Sequence, residues 1–162
     1  MHQMTIDPET LRFADSARSF CEWAEGSPGS PKEEALAARR YLASLYGLAL
    51  NLPESAFGEE DPAGLSDDKW QTVFSRFSAL PFTYYSSFFD PSTAVTEEAS
   101  LGDLADDLAD IWRDLKDGLT LFDAGHTGAA TFTWRFGFNS HWGRHASSAL
   151  YALHCWSQAN SA

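Results

Sequence analysis

The sequence lacks the motifs that mark the commonest catalytic classes. Its two cysteines, Cys21 and Cys155, lie far apart and form no Cys-x-x-Cys pair. Two reduced thiols packed in the core are therefore expected, rather than a disulfide or a thiolate metal site. The chain has no Gly-x-Ser-x-Gly elbow, no cysteine at a recognisable spacing from a histidine, and no glycine-rich loop that could cradle phosphate. These absences exclude the familiar nucleophilic hydrolases and the phosphate-loop enzymes.

Basic residues are also scarce. The 11 lysines and arginines stand against 23 aspartates and glutamates, which gives a formal net charge of -12. This charge repels nucleic acid phosphates and anionic membrane surfaces, so neither is expected as a partner. No apolar run approaches the length of a membrane span, and the first ten residues show no basic segment followed by an apolar run. We therefore expect a cytoplasmic protein.

The length and the apolar content favour one helical domain. A chain of 162 residues can bury roughly two thirds of its unfolded surface, and 44% of its residues are hydrophobic. The aromatic share of 14% supplies large side chains for a core. We expect a single domain over residues 1–162, with its core between about 8 and 157.

The clearest periodic pattern lies near the middle of the chain. Apolar residues recur there at spacings of three and four, which is typical of one helix face. They are Leu101, Leu104, Leu108, Ile111, Leu115, Leu119 and Phe122. Ser100 with Asp103 resembles a capping box, and Gly125 stands where a helix end favours glycine. The pattern predicts a central helix from Leu101 to Phe122.

Start and stop signals predict three helices before the central one. The first runs from Pro8 to about Glu25, the second begins at Pro31 and ends before Pro53, and the third lies between Ser66 and Pro81. The aromatic stretch from Phe82 to Phe89 has no clear period and is expected to be irregular.

The last third of the chain allows two interpretations. Aromatic residues alternate with others over 131–138, as in a half-buried strand, but no second alternating run offers a partner strand. We therefore favour a long helix from about Ala129 to Ser157, and keep a short extended segment near 130–138 as the alternative. The predicted fold is all-α, an antiparallel bundle of about five helices.

An acidic stripe runs beside the apolar face of the central helix. It repeats at spacings of four and three and consists of Asp103, Asp107, Asp110, Asp114 and Asp117. His141 and His145 are four residues apart, so a helix would project both from one side. If the two helices pack together, His141, His145, Asp107, Asp110 and Asp114 form a candidate site for zinc, iron or manganese.

A simpler interpretation of the same residues needs no metal. The Glu-x-x-His motif of di-iron bundles is absent, and His-x-x-x-His pairs also arise by chance. Both histidines would then donate hydrogen bonds to aspartates of the stripe.

A second candidate site could take a small ligand or a protein partner. It includes the tyrosines that precede an Asp-Pro turn and polar or aromatic residues of the last predicted helix. These residues are Tyr84, Tyr85, Asp90, Arg135 and Trp142. Aromatic clusters also occur in cores, so the same residues could be structural.

Three segments together resemble the DUF5063 family of uncharacterised bacterial proteins. They are Phe89-Asp90-Pro91, the Asp106 to Leu119 region, and Trp134-Arg135-Phe136 through the His-Trp-Gly-Arg-His element at 141–145. The resemblance extends from about Phe13 to His154. It implies a bacterial, cytosolic, mostly helical domain and carries no assigned activity.

Two functional hypotheses follow from the sequence. The first is an interaction or small-ligand-binding module, monomeric or homodimeric, whose acidic and aromatic surfaces meet a protein or a ligand. The alternative is a divalent-metal-binding protein or metal-dependent enzyme that uses the Asp and His cluster. Metal analysis of the purified protein separates them.

Overall fold

A computed structural model describes residues 5–62, 64–94 and 98–161. Its helices and strands follow in chain order. They are α1 (Pro8–Glu25), α2 (Pro31–Ala49), α3 (Asp67–Arg76), β1 (Tyr84–Ser87), β2 (Ser100–Asp103), α4 (Leu104–Asp123), α5 (Thr127–Gly137) and α6 (Gly143–Ala159). A short 3-10 turn, Phe77–Ala79, follows α3, and a π-helical turn, Phe138–Trp142, joins α5 to α6.

The predicted helical bundle is confirmed, and several predicted helix starts are observed. Asp7 accepts hydrogen bonds from the backbone at the start of α1, Ser30 and Glu33 form a reciprocal capping box on α2, and Ser66 caps α3. Residues 130–138 are helical, and α5, the π turn and α6 form one continuous helical run. The extended alternative for 130–138 is wrong because these residues satisfy their hydrogen bonds within the helix.

The central helix begins three residues later than the sequence pattern predicted. Its N-cap is Asp103, whose side chain accepts from the backbone N–H of Asp106, whereas Ser100 lies in strand β2. Strand β2 pairs antiparallel with β1, and Tyr85 stands opposite Gly102. Part of the stretch predicted to be irregular is therefore a strand, because a partner distant in sequence completes its hydrogen bonds.

Helix α4 lies at the centre of the packing and contacts α1, α3, α5 and α6. Its buried face contains Leu104, Leu108, Ile111 and Leu115, as the spacing predicted. Cys21 is buried as expected, but Cys155 is exposed on the surface of α6, so only one thiol belongs to the core. Within the described ranges, no helix has the length and apolar character needed to cross a membrane.

The position of the helix start gives a matched stability test. Leu108 is fully buried, whereas Leu101, assigned by the sequence pattern to the same face, is 74% exposed on β2. Leu108→Ala should lower the free energy of unfolding by about 2–5 kcal/mol, and Leu101→Ala by less than about 0.5 kcal/mol. Denaturant unfolding measures both. Similar losses of unfolding free energy in the two variants would show that the buried face of α4 has been assigned incorrectly.

Candidate metal centre

Both histidines lie on the helical run that packs against α4. His141 belongs to the π turn and His145 to the first turns of α6. The π turn is closed by the N–H of Gly143, which donates to the carbonyl of Phe138. A Cβ at position 143 would lie 2.4 Å from that carbonyl oxygen, so the turn requires glycine there. Single π turns inside helices occur frequently at functional sites.

The two imidazoles and one carboxylate converge on a common point. The Nε2 atoms of His141 and His145 are 3.2 Å apart, and each is 3.9 Å from Oδ2 of Asp110. These three atoms form a triangle, and the point in its plane equidistant from them lies about 2.1 Å from each. This distance matches the lengths of bonds from Zn²⁺ to histidine nitrogen and carboxylate oxygen. The described residues thus place three ligand atoms at metal-binding distances.

Each of these three side chains is held by a further partner. Nδ1 of His141 is 2.6 Å from Oδ2 of Asp114, and Nδ1 of His145 is 2.6 Å from Oδ1 of Asp107. The indole of Trp70 donates to Oδ1 of Asp110 at 2.9 Å and leaves Oδ2 facing the histidines. Carboxylates and indoles that orient ligands in this way are common around protein-bound metals.

These contacts fix which nitrogen of each histidine carries a proton. A carboxylate can only accept a hydrogen bond, so Nδ1 of His141 and of His145 is the donor. In a neutral imidazole the other nitrogen, Nε2, then presents a lone pair. Two such Nε2 atoms 3.2 Å apart repel each other unless a cation or a shared proton lies between them.

Tyr85 extends the arrangement to the strand pair. Its hydroxyl donates to Oδ2 of Asp107, whose other oxygen accepts from His145. Across the strands, a Cβ at position 102 would lie 2.4 Å from the Tyr85 ring, so Gly102 gives the ring its space. Burial raises the pKa of Tyr85 above its ordinary value, which keeps the hydroxyl neutral and able to donate.

Charge and exposure differ across the cluster. The hydrogen bond to Asp107 raises the pKa of His145, while burial raises the pKa of Asp114 against the opposing effect of His141. The side chain of His141 is 47% exposed and that of Asp107 is 8% exposed.

A cavity of about 260 Å³ is lined by both histidines, Asp106 and Arg144. Small molecules can therefore reach the cluster from this side.

The structure brings all five predicted metal-site residues together, in two groups that occupy different positions around the common point. His141, His145 and Asp110 direct atoms at the common point, whereas Asp107 and Asp114 bind the outer nitrogens of the histidines. The sequence pattern treated the three aspartates alike. Their separation depends on the packing angle between helices, which spacing along one helix does not determine.

The sequence matches the family described as "Domain of unknown function (DUF5063)" over residues 4–158. This chain belongs to the DUF5063 family. The crystal structure of protein BF1032 from Bacteroides fragilis is similar to this DUF5063 fold, with a TM-score of 0.76 and 21% sequence identity. The similarity covers 93% of this chain and 95% of that one. This similarity concerns the fold. No curated protein matches the sequence.

The residues of the second predicted site lie apart from one another in this DUF5063 chain. Of its residues, Tyr85 joins the cluster of aspartates and histidines through Asp107, whereas Tyr84 is an exposed residue of β1. Asp90 accepts hydrogen bonds from Ser92 in an exposed turn, and Arg135 lies 3.5 Å from Glu54. Trp142 is fully buried and donates to the carbonyl of Trp134. These residues lie on separate surfaces or in the core, so they do not line one pocket.

Two contributors to the site, Trp70 and Asp106, were missed by sequence reasoning. Trp70 on α3 orients Asp110, and Asp106 and Arg144 line the adjoining cavity. Trp70 lies within the third predicted helix, and its position in the sequence does not show that its indole N–H reaches Asp110 on α4. Arg144 stands between the two histidines in the sequence, so its position beside the site follows from the His-Trp-Gly-Arg-His element.

Asp117 provides a pH test of burial beside the site. Burial raises the pKa of its carboxyl from 3.8 to about 6. The folded protein therefore binds this proton more tightly than the unfolded chain does. The neutral carboxyl stabilises the fold fully below pH 3.8, and this stabilisation is lost as the pH rises through about 6. Because Asp117 is only half-buried and water screens its charge, Asp117→Asn should be more stable than the parent at pH 8 by about 1 kcal/mol, with a smaller difference at pH 4.

Denaturant unfolding at several pH values checks this result. Asp123→Asn is the matched control, because a hydrogen bond from Arg18 lowers the pKa of Asp123. Its substitution should destabilise the protein at pH 8 and matter less at low pH, which is the opposite trend. Parallel pH trends in the two variants would contradict the burial of Asp117.

Proposed function

We propose that this chain binds one divalent transition-metal ion through Nε2 of His141, Nε2 of His145 and Oδ2 of Asp110. The observation that supports the proposal is the convergence of these three atoms, at separations of 3.2 and 3.9 Å, on a point at metal-bond distance from all of them. Two histidines with one carboxylate occur in catalytic zinc sites and in non-haem iron sites.

The surrounding hydrogen bonds favour a cation over an unoccupied polar cluster. With Nδ1 as the donor, the neutral form of each imidazole presents Nε2 as an acceptor, and Asp110 adds a negative charge beside them. Three acceptors facing one another repel unless something positive lies between them. A divalent ion satisfies all three at once, whereas one proton bridges only two.

The ligand number indicates what the ion would do. Three protein ligands leave at least one coordination position open, as in catalytic rather than structural zinc sites. Both histidines line the cavity of about 260 Å³, which would give a small ligand a route to an ion bound there. The proposed chemistry is Lewis-acid binding of a small ligand, with activation of bound water as its catalytic extension.

Isothermal titration of the metal-free protein with Zn²⁺ tests the proposal. We expect saturable binding of one equivalent, reversed by a chelator. His154→Ala is the matched control, because His154 is an exposed histidine on α6 outside this cluster, and its loss should leave binding unchanged. Absence of saturable binding would leave the shared proton between the histidines as the better account.

A further inference from the structure

A second, larger cavity lies between β1 and α6. Its volume is about 560 Å³, which falls within the range of small-molecule sites. Its lining is mainly aromatic and aliphatic and includes Phe82, Tyr85, Phe88, Tyr151, Ala152 and Trp156. A space of this size and character suits the apolar body of a small molecule.

The apolar cavity adjoins the cavity at the metal cluster. Tyr85, Ser87 and Ser148 line both, so the two spaces share one wall. The ring of Tyr85 borders the apolar side, while its hydroxyl binds Asp107, the partner of His145. A molecule with its apolar body in the larger cavity could therefore extend a polar end toward His141 and His145.

We propose that the two cavities together bind an amphipathic carboxylic acid, whose apolar tail occupies the larger cavity and whose carboxylate ligates the metal. This inference rests on the proposed metal site and adds the class of ligand. The open coordination position requires a donor atom, and the apolar cavity requires a tail. One molecule with both parts satisfies the two neighbouring spaces.

The charges around the cluster favour a head group with a single negative charge. Asp103, Asp106 and Asp107 line the smaller cavity, and Arg144 is the one basic side chain among its lining residues in the described chain apart from the histidines. A divalent ion bound to one carboxylate ligand retains a formal charge of about +1. A carboxylate neutralises that charge, whereas a dianionic phosphate would meet the surrounding aspartates with an excess negative charge.

The test uses 4-phenylbutyrate as the probe, titrated by calorimetry into the Zn²⁺-loaded and the metal-free protein. We expect binding to be at least tenfold tighter with the metal present. Acetate lacks the tail and 4-phenyl-1-butanol lacks the carboxylate, so each should bind at least tenfold more weakly than 4-phenylbutyrate to the loaded protein. The dianionic 4-phenylbutylphosphonate should also bind more weakly than the carboxylate.

A cavity-filling variant locates the tail. Ala152 lines the larger cavity, so Ala152→Trp should lower the affinity for 4-phenylbutyrate at least tenfold while zinc binding is retained. His154→Trp adds the same side chain to α6 at an exposed position outside this cavity and should bind the probe like the parent. Thermal melts of the loaded variants show whether each is folded.

The outcomes separate this inference from the metal proposal. Failure of Zn²⁺ to bind overturns both. If Zn²⁺ binds but 4-phenylbutyrate binds equally with and without it, or no more tightly than acetate, the metal proposal stands and the amphipathic ligand is wrong. Tighter binding of the phosphonate overturns the preference for a single charge. The probe comparisons decide the matter even if Ala152→Trp does not fold.

Discussion

Asp110→Asn is expected to weaken Zn²⁺ binding by at least about 100-fold, because it removes the charge of the one carboxylate whose oxygen faces both histidines. Asparagine has the same shape, and its side-chain oxygen can still accept the hydrogen bond from Trp70. The change should therefore act on the metal and not on the packing. Calorimetric titration with Zn²⁺ measures the loss, and thermal melting of the metal-free variant verifies the fold.

Asp106→Asn is the matched control for this prediction. Asp106 lines the same cavity and carries the same charge but is not among the three converging residues. Its substitution should change the affinity for Zn²⁺ by less than about threefold, through the general loss of one nearby charge. Equal losses in the two variants would indicate a diffuse acidic surface rather than a defined set of ligands.

Trp134→Ala should destabilise the fold by about 3–5 kcal/mol, a large part of the stability of a typical domain. The side chain is fully buried between α1 and α4, its ring centroid lies 5.0 Å from that of Phe13, and its indole donates to the carbonyl of Leu115 at 3.1 Å. The variant loses apolar contact and leaves that carbonyl without its side-chain donor. Denaturant unfolding measures the effect.

Phe136→Ala provides the comparison for Trp134. Phe136 is another aromatic residue of α5, two positions further on, but it is 61% exposed. Its loss should cost less than about 1 kcal/mol. If Phe136→Ala were as damaging as Trp134→Ala, the face by which α5 packs against α4 would be assigned incorrectly, and with it the meeting of the histidines and the acidic stripe.

The sequence predicted the helices and the two polar patterns because each depends on local periodicity. Spacings of three and four identify one face of α4, and the four-residue interval identifies His141 and His145 as neighbours. Capping residues located the starts of α1, α2 and α3 from a few adjacent positions. Such features require no knowledge of which elements pack together.

Features that depend on distant parts of the chain were not predictable in this way. The Ser100 to Asp103 segment resembled a helix start, yet it is a strand because β1 pairs with it. Trp142 is adjacent to His141, but the change of direction at each helical residue turns its ring into the core. The hydrogen bonds from Trp70 and Tyr85 to the stripe cross between elements, so no sequence interval reveals them.

The most direct test of the metal site is anomalous diffraction from crystals grown with Zn²⁺, recorded on both sides of the zinc absorption edge. The proposal predicts one strong anomalous peak about 2.1 Å from Nε2 of His141, Nε2 of His145 and Oδ2 of Asp110, with Nδ1 of each histidine still bonded to Asp114 or Asp107. A crystal containing Zn²⁺ with no peak there, and with the two Nε2 atoms still 3.2 Å apart, would contradict it.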